Sequence, residues 1–165
     1  MYYSYNSQNT LEFVSLHDCF INHVVWQNNR LIIYLDWIDV MRNHPLNSSG
    51  KAKKAYNAAI IFDDALELGC FYYDLSKAYE EGRKINKQSY FVPEDAEMLK
   101  STIAERCRNV EIDNLEERRD NGNRICRCLC HDDTEFEISF SNVWICFEKF
   151  GEDSWLECLP HNSKS

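Results

Sequence analysis

LHDCFINHVVWQNNRLIIYLDW, residues 16 to 37, is the stretch whose reading decides the fold. Two runs rich in β-branched, aromatic and aliphatic residues, 20–27 and 30–37, flank Asn28-Asn29. Asparagine tolerates the positive φ that a two-residue hairpin turn demands, so the stretch is expected to form a β-hairpin with Gln27 opposite Arg30. That register puts Trp26/Leu31, Val24/Ile33 and Phe20/Trp37 on one side of the ribbon, which must be buried. Val25/Ile32, His23/Tyr34 and Ile21/Asp36 fall on the other side. That side is too apolar to stay wholly wet, which calls for further strands or a helix over part of it.

Outward from the hairpin, 165 residues suit a single domain over 1–165 with one core, with residues 1–10 as a loose arm and 159–165 as a loose tail. A hydrophobic fraction of 44%, 13% aromatics and 27% charged residues supply a packed interior and a solvated surface, which argues against disorder. No apolar run approaches the roughly 20 residues that cross a bilayer, and MYYSYNSQNT has neither the basic start nor the apolar centre of a signal peptide. The expectation is a cytoplasmic protein that does not engage membranes. Eight cysteines (19, 70, 107, 126, 128, 130, 146, 158) make an even set, but in that compartment, and mostly inside apolar runs, they are expected as reduced thiols.

Along the chain, Leu11–Leu16 reads as a short strand or a single helical turn, and 39–57 as a loop whose HPLNSSGK carries Pro45 and Gly50, with Lys51, Lys53 and Lys54 as a basic cluster. Ala58–Phe62 reads as a third strand. Residues 65–73 are also read as a strand, with Leu66, Leu68 and Cys70 alternating on one face and Gly69 interrupting. The segment 81–90 is polar and irregular. A helix is predicted over 93–108, with Pro93 in its first turn, Glu94, Asp95 and Glu97 at its positive end, and Met98, Leu99, Ile103 and Ala104 on its buried face. From Asn109 the period returns to two. Val110, Ile112 and Leu115 alternate, Arg118–Asn123 is a turn with an Asn-Gly signal, and strands follow at 125–131, 134–140 and 143–150, with Asp132-Asp133 as the link between the first two. The fold class expected is α+β: a predominantly antiparallel meander of hairpins with one main helix packed on it.

Two constellations carry chemistry. Cys126, Cys128 and Cys130 recur at every second residue with His131 behind them, which places the thiols on one strand face about 6.5 to 7 Å apart. A soft metal would need closing ligands from elsewhere, and the spacing is not that of a zinc knuckle, so small apolar side chains packing on a sheet is the favoured reading. His17-Asp18-Cys19 holds the ingredients of a nucleophilic site, but consecutive residues on an extended chain point to opposite sides. Those side chains are expected to fix the chain's approach to the hairpin instead. There is no phosphate-binding glycine motif, no H-E-x-x-H and no G-x-S-x-G.

The formal charge is −9, and it is placed unevenly. Asp132, Asp133, Glu135, Glu137, Glu148, Glu152, Asp153 and Glu157 lie in one segment against the single base Lys149. Such a segment repels phosphate backbones, which disfavours nucleic acid, and is either a solvated face or a docking surface for a basic protein. Trp144 and Trp155 stand within it. They are more often core or half-core residues than anchors, though tryptophan beside charge also occurs at interface hot spots.

Three blocks carry a resemblance: LHDC (16–19) with its hairpin, HPLNSSGKAKKAYNAAIIF (44–62) and FEISFSNVWICFEKFGEDSWLE (136–157), with 66–130 outside it. They resemble a poorly characterised group of small bacterial cytosolic α+β proteins, similar to the immunity proteins of polymorphic toxin systems. The resemblance implies no cofactor and no catalytic residue. By analogy it implies a non-enzymatic binding role with a basic protein partner, such as a toxin domain. On that expectation the protein-binding residues are Asp132, Asp133, Glu135, Glu137, Trp144, Glu152, Asp153 and Trp155. The alternatives are a metal-binding or redox-sensing domain using Cys126, Cys128, Cys130 and His131, and a hydrolase or transferase centred on His17, Asp18 and the lysines at 51–54.

Overall fold

Alternating patterns and turn residues produce mostly antiparallel β-sheet with, among the described residues, one α-helix; the computed structural model describes residues 3–73, 90–91 and 95–158. The strands are β1 (Tyr5–Gln8), β2 (Val14–Ser15), β3 (Phe20–Gln27), β4 (Arg30–Val40), β5 (Lys53–Asp63), β6 (Leu66–Tyr73) and β7 (Tyr90–Phe91). After helix α1 (Ala96–Arg106) come β8 (Val110–Asp120), β9 (Asn123–Cys130), β10 (Glu135–Phe140), β11 (Asn142–Phe147) and β12 (Lys149–Asp153). Short 3-10 turns lie at Leu11–Phe13 and Trp155–Cys158.

The opening hairpin forms as the asparagine pair requires, with φ of 51° at Asn28 and 60° at Asn29. Gln27 pairs with Arg30, and the register holds through Trp26↔Leu31, Val25↔Ile32, Val24↔Ile33 and His23↔Tyr34. Then it slips. A bulge between Ile21 and His23 sets Ile21 opposite Leu35, so Ile21 joins the core at 0% exposure instead of lying on the outer side opposite Asp36. The expected Phe20/Trp37 pair does not form. Phe20 pairs with Glu111 of β8, and Trp37 with Tyr56 of β5.

The strand order is β1-β11-β5-β4-β3-β8-β9-β10-β6-β7, with β12 on β5 and β2 on β4. Two joints convert this order into a ring. Asp64, at a φ of 51°, turns the chain from β5 into β6, and Ser141 turns it from β10 into β11. The ladder keeps its register across that corner, with Asn142↔Asp63 on one side and Ser139↔Leu66 on the other, so β5–β6 and β10–β11 act as two long bent strands. Bent strands that pass from one sheet to the next make the corners of orthogonal sheet packings. The short β3·β8 ladder at Phe20↔Glu111 and Ile21↔Val110 closes the far seam.

A hydrophobic core lies inside this ring. Leu31, Ile33 and Leu35 of β4, Ile60 and Phe62 of β5, Phe136 and Ile138 of β10, and Val143, Ile145 and Phe147 of β11 are all buried. Phe62 meets Phe140 edge-on at 4.9 Å. Helix α1 packs against β3 and β6 and adds Ile103 to this core. Asp95 caps it by accepting from the Met98 amide at 2.8 Å, one turn later than the predicted start. Its buried stripe centres on Ile103 and Cys107, while Met98, expected on that face, is 48% exposed. Pro93 and Glu94 lie outside the described residues, as do 74–89 and the tail 159–165.

Other boundaries move for identifiable reasons. Residues expected as a loose arm supply β1, which pairs with β11 while Tyr5 stacks on Phe147 at 4.9 Å. The 39–57 loop shrinks to 41–52 because Lys53 and Lys54 continue β5 opposite Val40 and Asp39. The turn expected over Arg118–Asn123 tightens to Asn121-Gly122, with β8 extending to Asp120. The final run divides at Glu148 into β11 and β12, which pair with successive halves of β5.

Candidate functional site

Along β6 the expected alternation of Leu66, Leu68 and Cys70 breaks. The ladder with β10 runs Leu66↔Ser139, Glu67↔Ile138, Gly69↔Glu137, Cys70↔Phe136 and Phe71↔Glu135, which leaves Leu68 as the extra residue of a bulge. Cys70 faces the core at 0% exposure, whereas Leu66, Leu68 and Phe71 stand outside at 61%, 49% and 38%. Glu67 turns beneath the strand and meets the Lys100 ammonium of α1 at 3.6 Å, and the same ammonium lies 5.5 Å from the centre of the Trp26 ring. An apolar row of this kind on an outer sheet face is what a protein interface presents at its centre.

Charge borders the row. On β10, Phe136, Ile138 and Phe140 point inward, so Glu135 and Glu137 face out beside β6. The Arg127 guanidinium donates to both Glu135 oxygens at 2.8 and 2.7 Å, and Arg118 reaches Glu137 at 3.1 Å. Glu116 is 3.7 Å from Arg127. Asp132 and Asp133 stand exposed in the β9–β10 turn, where the Asp132 carboxylate accepts from the Thr134 amide. Carboxylates outnumber guanidiniums on this face, so it stays acidic despite the pairing.

Glu152, Asp153 and Glu157 lie elsewhere, on β12 and the turn that follows it, and Glu148 lies just before that strand. Asp153 accepts from Lys51 at 2.7 Å and Lys53 at 2.6 Å, which holds its carboxyl down to about 2. Glu152 accepts from the Tyr56 hydroxyl at 2.6 Å, a bond that keeps its pKa low, and lies 3.8 Å from Lys54. Glu157 takes the Ala52 amide and Arg42. The lysine cluster therefore neutralises Glu152 and Asp153 and not the carboxylates on β10. Trp144 is half-buried on β11, with its Nε1 donating to Asp63. Trp155 is half-buried too, with its ring 6.1 Å from that of His17. The structure thus brings together Asp132, Asp133, Glu135 and Glu137 of the expected binding residues and leaves Trp144, Glu152, Asp153 and Trp155 apart from them. Leu66 and Leu68 escape a sequence reading because their alternation with Cys70 reads as a buried face, and Phe71, beside Tyr72 and Tyr73, has no signal that sets it apart.

The cysteine row faces the core. Cys126, Cys128 and Cys130 are each fully buried on the inner face of β9, and small side chains there let the end of α1 approach, with Cys107 Sγ 3.9 Å from Cys130 Sγ. The thiol contact with Cys130, and then burial, hold Cys107 and Cys128 well above the usual thiol range. The same thiol contacts shift Cys130 the other way, toward its thiolate. His131 does not join them. It is exposed, with Nδ1 3.2 Å from Asp113, a contact that raises its pKa. Among the described residues no group of three or more His, Cys, Asp and Glu side chains is placed to hold a metal ion.

His17 and Asp18 are 3.5 Å apart and exposed, while Cys19 is buried behind them with its thiol pushed up by desolvation. Below this turn lies Asp39, at 0% exposure. Burial raises its pKa, and the nearby Ser154 hydroxyl and Trp155 indole offset this only in part, since neither completes a hydrogen bond to the carboxylate. A groove of about 630 Å³ opens where the β8–β9 hairpin overhangs the 3-10 turn at Leu11–Phe13. Its floor is Leu11, Val14 and Leu115, and its rim carries Arg119 and an Arg124–Glu117 pair at 2.7 Å. No known protein family, curated protein or solved structure matches the chain.

Proposed function

We propose that this chain is a non-enzymatic protein-binding domain whose docking surface is the outer face of β6, β10 and β9. The observation that carries the reading is the exposed row Leu66, Leu68 and Phe71 beside Glu135 and Glu137. Apolar side chains at the centre would supply affinity, and the acidic border would select a basic partner and speed its encounter. The resemblance to immunity proteins supports a finer form of the same reading, a cytosolic neutraliser of a basic toxin domain.

Two double variants test it by quantitative co-purification: Leu68→Ser with Phe71→Ser, and Glu135→Lys with Glu137→Lys. Both are expected to lower recovery of a basic partner at least about 10-fold, equivalent to roughly 1.4 kcal/mol, with the far-UV spectrum unchanged. Undiminished recovery from both variants would overturn the proposal. Self-association of the wild-type chain, abolished by the first pair, would also overturn it by making the partner a second copy.

A further inference from the structure

Cys107 ends helix α1 as its C-cap, and Cys130 ends β9. Their sulfurs are 3.9 Å apart, neither residue is exposed, and Cys70 and Cys128 lie close by. A disulfide needs the sulfurs at about 2.05 Å, so closure asks each side chain to move by about 1 Å. Cys128 and Cys130 are poorer partners for each other. Strand residues two apart hold their Cα atoms about 6.5 to 7 Å apart and aim in parallel, at or beyond the limit for bridging. Cys107 approaches from a different element, so it meets Cys130 across the core and not along one strand.

We propose that Cys107 and Cys130 are a redox-active dithiol, oxidised by a hydroperoxide to a disulfide that staples the end of α1 to β9. Cys130 gives up its proton and attacks the O–O bond of hydrogen peroxide, which forms a sulfenic acid and releases one water once the proton is returned. The Cys107 sulfur then attacks the Cys130 sulfur, and the sulfenic hydroxyl leaves with the Cys107 proton as a second water. Two thiols and one peroxide become one disulfide and two waters, with two electrons passing from sulfur to oxygen. Full burial restricts the oxidant to a molecule of peroxide's size, so a bulky disulfide such as oxidised glutathione is excluded.

The experiment uses the full chain with Cys158→Ser, which removes the exposed thiol. One equivalent of hydrogen peroxide is added, and the protein is then denatured, alkylated and mapped by mass spectrometry. The expected result is the loss of two alkylatable thiols and a link between the peptides carrying Cys107 and Cys130. Dithiothreitol should reverse the link, Cys128→Ser should leave it in place, and Cys107→Ser should abolish it. Oxidised glutathione at the same concentration should leave every thiol alkylatable. Full alkylation after peroxide, or a link to Cys128 or Cys146 in place of Cys107, would overturn the proposal. Mapping of the Cys158→Ser chain decides this even where a core variant fails to fold.

Discussion

Asp39 shows how much of a residue's behaviour is set by distant chain. It is a carboxylate at 0% exposure whose pKa is raised chiefly by burial, so the folded state holds its proton to higher pH than the unfolded chain does. Stability should therefore fall as pH rises through the window that starts near the ordinary value of 3.8. Asp39→Asn should remove that slope and raise stability at neutral pH by on the order of 1 kcal/mol, read from melts between pH 4 and 8. An unchanged slope would contradict this assignment. Asp153 has the opposite sign. Its carboxyl is held down to about 2 by Lys51 and Lys53, so its contribution is complete above 3.8 and is lost as pH falls toward 2. Asp153→Asn should abolish that part of the acid limb. Neither effect is legible in sequence, because Asp39 is covered from Ser154 and Trp155 and Asp153 is met by lysines from residues 51 and 53. The asparagine turn is legible, since its demand is local. Asn29 has a φ of 60°, so Asn29→Ala should cost about 1 kcal/mol in denaturant unfolding while Asn29→Gly costs little.

At the scale of elements, strand identity was readable and phase was not. The period-two runs located β3, β4, β6, β8, β9 and β10, and the helix was found within three residues at each end. On β3 and β6 the error of face traces to one extra residue. The bulge at Asn22 moves Ile21 inward, and the bulge at Leu68 moves Leu66 outward. A bulge is chosen by the partner strand, which lies in another part of the chain, so alternation within one strand cannot announce it. The consequence is measurable. Leu66→Ser and Leu68→Ser should each change unfolding free energy by less than about 0.5 kcal/mol, as for other exposed positions, whereas Phe136→Ala opposite Cys70 should cost about 3 to 5 kcal/mol. A large loss at either leucine would show that the row is a core face, as alternation alone implies.

For the whole molecule, ring closure depends on the two contacts farthest from local sequence signals, the Asp64 and Ser141 corners and the two-pair β3·β8 seam. Closure divides the acidic segment. Glu135 and Glu137 go to one outer face, and Glu152, Asp153 and Glu157 go to another, where Lys51, Lys53, Lys54 and Arg42 meet them. The lopsided charge seen in one dimension is thereby spread in three, and the apolar row on β6 is the feature that distinguishes one face from the rest. Site-specific photo-crosslinking in cells that carry the chain tests this most directly, with the reactive group placed in turn at Leu66, Leu68, Phe71 and, on the opposite sheet, Asp36. Covalent capture of one basic protein from the three β6 positions and none from Asp36 is expected; equal capture from both faces, or none from β6, would rule out a docking face on β6.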